Sequence, residues 1–142
     1  MAQRSTHPSR TVRSEMTMRL VLTVMPDMLT ICRLAPDANL PAWAMASTFC
    51  SCTRTSEELS IVVAKTLVPV SVQAEGTWRA LKVVGPIPLS AVGILASIAE
   101  PLGRAGISLF AISTFDTDYV LVAAERLQDA RAALSQEGHA IR

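Results

Sequence analysis

From Arg19 onward, short apolar runs alternate with polar breaks that carry Pro, Asp or Gly, which is the pattern of short strands. RLVLTV (19–24) and MLTICRL (28–34) flank Pro26-Asp27, and this arrangement predicts a β-hairpin. A loop with Pro36, Asp37, Asn39 and Pro41 follows. PAWAM (41–45) suits one helical turn with Pro41 as its first residue, where the missing N–H is harmless. STFCSCTR (47–54) and LSIVVA (59–64) predict two more strands around the polar turn Thr55 to Glu58, and the stretch Lys65 to Gly76 reads as a linker.

In the second half, TWRALKVV (77–84) predicts a strand, and Gly85-Pro86-Ile87-Pro88 predicts an extended loop. Ser90 is placed to cap the next helix, whose apolar stripe is Val92, Leu95, Ala96, Ala99 and Leu102. Pro101 is expected to kink or close it, with Gly103 or Gly106 as terminator. GISLFAIST (106–114) and YVLVAA (119–124) are apolar on both faces and are expected at the centre of a sheet, separated by the turn Phe115 to Asp118. Glu125 to Glu137 repeats Leu127, Ala130 and Leu134 at helical spacing, Gly138 stops it, and HAI (139–141) is a final short strand.

The order strand, helix, strand, strand, helix, strand is the ferredoxin-like split unit, whose two helices cover one sheet face. The other face needs a partner, and the chain itself offers one. CTRTSEELSIVV (52–63) and ISTFDTDYVLVA (112–123) share an order of hydroxyl residue, polar turn, acid and apolar strand, which reads as a duplication at an offset of 60 residues. At that offset Thr53 matches Ser113, Glu58 matches Asp118 and Leu59 matches Tyr119. The fold class is therefore α+β, with tandem ferredoxin-like βαββαβ units and helices on one face of antiparallel sheets. The expected units are residues 18–70, a degenerate first unit, and 71–142, preceded by a disordered basic tail over 1–17.

Composition narrows the function. The chain has 142 residues, half of them hydrophobic, and a domain of that size can build a core without disulfides. Residues 1–19 carry four arginines against one glutamate, leaving the remainder slightly acidic at −2 within a net charge of +1. That balance argues against a nucleic-acid partner. Three cysteines, Cys32, Cys50 and Cys52, lie in apolar strand-like runs and suit a reducing cytoplasm. No apolar run reaches the ~18–20 residues of a membrane span, so no membrane association is expected. Met16 and Met18, just ahead of the first strand, read as alternative starts of translation.

GPIPLSAVGILASIAEPLGRAGISLFAISTFDTDYVLV (85–122) resembles the second unit of small ACT-domain proteins related to the CASTOR-type arginine sensors and to aspartate kinase regulatory regions. CRLAPDANLPAWA (32–44) and the TRTSEELSIV run (53–62) resemble the first unit of the same proteins. The resemblance implies paired ferredoxin-like units that bind an amino acid between them.

The candidate site is the loop before the first long helix, Leu89, Ser90, Ala91, Val92 and Gly93. Main-chain N–H groups at a helix start lack partners and sit at the positive end of the helix dipole, so they suit a carboxylate. Gly93 inside a first helical turn would cost about 1 kcal/mol against Ala, which points either to close approach of a ligand or to tight helix packing. Asp116 and Asp118 suit the turn between two strands, and either carboxylate suits a cation. The resemblance singles out Asp118, because such sensors are expected to use an acid there. Ser113 and Thr114 stand beside it as hydrogen-bonding groups. The helix start reads Ser90-Ala91-Val92, without the acid expected of an arginine sensor, so the ligand's identity stays open.

Catalytic constellations are absent from the pattern. His7 and His139 are far apart, the glycines form no phosphate loop, and Trp43 and Trp78 read as packing residues. Cys50 and Cys52 would point to one strand face, which suits core packing and leaves metal or redox chemistry as the lesser reading. The expectation is a non-catalytic regulatory or sensor protein that binds a free amino acid, uses no cofactor and no metal, and forms a homodimer or joins a partner enzyme. The alternative is an interaction module with a vestigial pocket.

Overall fold

A computed structural model describes residues 18–142; the expected tail over 1–17 lies outside the described residues. The organising element is β5 (Gln73–Val83), eleven residues long. Along one of its edges β1 (Val21–Val24) and β2 (Leu29–Leu34) lie end to end, with Leu22 opposite Val83, Val24 opposite Leu81, Leu29 opposite Trp78 and Arg33 opposite Gln73. The expected hairpin therefore does not form. Pro26-Asp27 bends a continuing run, and the Met25 N–H donates to the Ala80 carbonyl at 2.8 Å. Two short strands pairing only with each other make a marginal unit, whereas β5 offers both a long partner.

The expected linker also shortens. A 3-10 turn at Lys65–Leu67 and residues 68–72 make the connection, and Gln73 to Gly76 already belong to β5. Thr30 fastens that end, its Oγ1 donating to the Gly76 carbonyl at 2.9 Å.

β4 (Leu59–Ala64) pairs with β2 along its whole length and carries β3 (Cys50–Arg54) on its outer side. β7 (Asp118–Ala123) pairs with the second half of β5, from Trp78 opposite Ala123 to Lys82 opposite Tyr119. Among the described residues β6 (Leu109–Ser113) pairs with β7 alone, so it is an edge strand there rather than a central one. β8 (Ala140–Ile141) runs parallel to β1. Two strand orders result, β3-β4-β2-β5 and β6-β7-β5-β1-β8, with β5 in both. The second is the predicted ferredoxin-like succession with one change: β1 occupies the place between β5 and β8.

Two helices, α2 (Ile94–Arg104) and α3 (Leu127–Gln136), cover one face of the second sheet. They enclose Leu22, Leu81, Val83, Ile98, Leu102, Val120, Val122 and Leu134. A four-residue turn, α1 (Ala42–Met45), covers the first sheet, its Trp43 packing with Val68 and Val72 over Cys32, Leu59, Ile61 and Val63. The remaining faces meet each other. Leu29, Val62, Ala80 and Leu121 form a third buried cluster, closed by Phe49 and Tyr119 with ring centroids 4.9 Å apart. The partner for the open sheet face is thus found within the chain.

The two halves share backbone features, but in a register that differs from the one read from sequence. Thr55 Oγ1 accepts from the Glu58 N–H at 3.2 Å, and Thr114 Oγ1 accepts from the Thr117 N–H at 3.3 Å. Thr55 matches Thr114, and the 3-10 turn at Lys65–Leu67 matches another at Ala124–Arg126. Both correspondences give an offset of 59, not 60, so Leu59 stands where Asp118 stands. The first sheet has no acid at that position.

Candidate functional site

Helix α2 begins at Ile94, later than Ser90 capping predicts. Its N-cap is Gly93, with φ of +83° and no side-chain cap; Ser90 lies in a turn three residues earlier. A left-handed φ is costly for any residue with a Cβ, and this is what glycine supplies here. Tight packing against the described residues does not explain it, since a Cβ would meet only the Met18 Cε at 3.9 Å. The buried stripe also differs: Ile98, Pro101 and Leu102 face the sheet, whereas Val92 is 83% exposed and precedes the helix. Apolar residues lie on several sides of this helix, so spacing alone admits two phases and contact with the sheet selects one. Pro101 neither ends nor interrupts the helix, which runs on to Arg104; the Ser97 carbonyl, deprived of its usual donor, bonds His139 Nε2 at 2.9 Å.

A cavity of about 310 Å³ opens between this helix start and the β6–β7 turn. It gathers Leu89, Ala91 and Gly93 from the loop and Ser113, Thr114 and Asp118 from the strands. Ile87, Pro88, Ile94, Leu95, Ala96 and Thr117 complete its wall; Leu95 and Ala96 were expected on the buried stripe instead, and the others had no sequence signal beyond adjacency. Ser90 and Val92 do not line it. Asp116 faces a neighbouring cleft with Lys82, Gly85, Pro86 and Tyr119.

Main-chain donors at this cavity sit slightly downstream of their predicted place. The Ala91 N–H is occupied by the Pro88 carbonyl at 2.9 Å. The first helical bond runs from the Ser97 N–H to the Gly93 carbonyl at 3.0 Å, so Ile94, Leu95 and Ala96 contribute N–H groups that no helical acceptor meets. Across the cavity, Asp118 is half-buried and its Oδ1 accepts from Ser113 Oγ at 2.7 Å, with Ser113 its ladder partner. The turn beneath is fixed by Thr117, whose buried hydroxyl donates to the Val83 carbonyl at 2.6 Å. An array of N–H donors without acceptors among the described residues thus faces a carboxylate across a pocket at the small end of ligand-binding volumes.

The ACT-domain family profile matches residues 73–136, and a second profile, for an N-terminal domain, matches residues 27–71. A crystallised protein from Agrobacterium tumefaciens is 36% identical, with a TM-score of 0.83 over 88% of this chain and 93% of that one. The chain belongs to the ACT-domain family. Its fold recurs in a Vibrio cholerae protein at 20% identity, with a TM-score of 0.70 over 85% of this chain and 91% of that one. It recurs also in the regulatory subunit of aspartate kinase from Thermus flavus at 15% identity, with a TM-score of 0.57 over 82% of this chain and 96% of that one. No match was found among curated proteins. Among the described residues of this ACT-domain protein, no helix is long and apolar enough to cross a membrane, and no three His, Cys, Asp or Glu side chains cluster as metal ligands.

Proposed function

We propose that this ACT-domain protein is a non-catalytic regulator that binds a free amino acid in the cavity between α2 and the β6–β7 turn. The observation that carries the reading is the pairing of opposite ends: N–H groups of Ile94, Leu95 and Ala96 for a carboxylate, and Asp118 for an ammonium or a cationic side chain. A zwitterion presents those two charges on one small body. Ser113 holds the Asp118 carboxylate in place and leaves Oδ2 for the ligand. The chain is read as two ACT-like units, 18–70 and 71–142, of which only the second carries this site, since Leu59 replaces the acid in the first.

Thermal-shift measurements with each of the twenty amino acids test the reading. A ligand at 100 times its Kd adds about 2.7 kcal/mol, and at least one selective stabiliser is expected. A flat response to all of them at millimolar concentration would overturn it.

A second reading has its own support. Leu89, Val92 and Phe115, exposed by 74%, 83% and 82%, stand on the loop, the helix entrance and the turn around the cavity. Large apolar side chains grouped this way suit a partner surface, either a second copy or an enzyme that the protein regulates. Light scattering with and without the stabilising amino acid separates the two: a dimer indifferent to amino acids favours the interaction module.

A further inference from the structure

Cys50 and Cys52 sit on the same face of β3, with their Sγ atoms 3.5 Å apart. Cys50 packs partly into the first-sheet core, while Cys52 is exposed. Among the described residues β3 pairs with β4 alone, so its outer side can pucker without breaking a ladder they form. We infer that Cys50 and Cys52 form a reversible dithiol–disulfide site that exchanges with low-molecular-weight disulfides.

The geometry sets both the feasibility and the lability of the link. The sulfurs need to close by about 1.5 Å to reach bonding distance. Residues two apart on a strand span about 6.6–6.8 Å between Cα atoms, at the outer limit of the disulfide range, so the bond formed is strained and readily reduced. Cys32 is excluded as the partner. It and Cys52 flank Ile61 from opposite sides of β4, two strand spacings or about 9.5 Å apart, too far to bridge.

The chemistry runs in two exchanges. The Cys52 thiolate attacks one sulfur of the small disulfide, forming a mixed disulfide and releasing one thiol. Cys50 then loses its proton and attacks the Cys52 sulfur, expelling the second thiol. The cysteine pair is oxidised by two electrons, the small disulfide is reduced by two, and the two cysteine protons end on the two thiols released. Order follows from access, as Cys52 meets the reagent first. Burial, with the Cys52 neighbour, holds the Cys50 thiol high, at about 11, so it serves as the resolving group once the mixed disulfide has brought it a target.

The test treats the full chain with oxidised glutathione under native conditions, then quenches with acid and measures intact mass. The wild type is expected to lose the mass of two hydrogens, and subsequent alkylation after denaturation should label Cys32 alone. Reduced glutathione should reverse the change. Cys50→Ser should stop as a glutathione adduct on Cys52, and Cys52→Ser should react more than about tenfold more slowly. Accumulation of the Cys52 adduct in the wild type without ring closure, a link between two chains, or persistence of all three thiols would overturn the proposal.

Discussion

His139 donates from Nε2 to the carbonyl of Ser97 at 2.9 Å, supplying the bond that the ring of Pro101 denies it. The donor role is settled by the other ring nitrogen, Nδ1, which accepts the Leu20 N–H at 3.0 Å and therefore carries no proton in the neutral ring. One buried side chain thus ties the entry to β1, the middle of α2 and the entry to β8 together. His139→Ala leaves a half-buried donor and a half-buried acceptor without that partner and is expected to destabilise by roughly 2 kcal/mol in urea denaturation. Adding Pro101→Ala restores an N–H for Ser97 and should recover about 1 kcal/mol more than Pro101→Ala does in the wild type. Strict additivity of the two changes would dissociate the histidine from the proline.

Asp118→Asn keeps an oxygen for Ser113 and removes the charge. Calorimetry with the stabilising amino acid should show affinity falling more than about tenfold, or 1.4 kcal/mol, with the ligand-free melting temperature nearly unchanged. Asp116→Asn, in the neighbouring cleft, is the control and should change affinity little. Equal losses in the two variants would move the site.

Gly93→Ala forces a Cβ into a left-handed conformation, at roughly 1–2 kcal/mol. The denaturation midpoint should fall with its slope unchanged, because no contact is crowded and the unfolded state is little altered. The same change disturbs the donors of Ile94 to Ala96, so amino-acid affinity should fall with it. A loss of stability without a loss of affinity would separate Gly93 from the binding site.

The Cys50 thiol is held at about 11 from its ordinary 9.0, chiefly by burial. The unfolded chain therefore releases this proton first as pH rises, and the folded state is the one that holds more protons between those values. Stability is expected to fall through pH 9 to 11 under reducing conditions. Cys50→Ser should flatten part of that decline in melting temperature, while Cys32, also pushed upward by burial, keeps the remainder. An identical slope in the variant would remove Cys50 as a source.

Much of the second half was legible because its signals are local: Leu127, Ala130 and Leu134 set the face of α3, and Gly138 ends it with φ of +93°. The repeat was visible but slipped by one residue. Ile61, Val62 and Val63, like Val120, Leu121 and Val122, are buried on both faces, so there is no polar alternation to fix phase. Acids and hydroxyls in the two turns then aligned in the wrong register. The end-to-end docking of β1 and β2 on β5 left no local trace, because Pro26-Asp27 has the same composition in a bend as in a hairpin. Of the candidate cavity, the helix-start loop and the acidic turn were both legible, while where the helix's free N–H groups begin depended on Gly93 adopting a left-handed φ.

The place of β1 has a consequence for synthesis. Its neighbours are β5 and β8, which leave the ribosome long after it, β8 as the last of the described elements. Leu22, at the centre of the helix-covered core, waits without a partner until Val83 arrives, and β1 keeps an open edge until Ala140 and Ile141 close it. Non-local pairing of this kind slows folding and exposes apolar edges in the interval. The nascent chain therefore completes its second sheet only once Ala140 and Ile141 have left the ribosome.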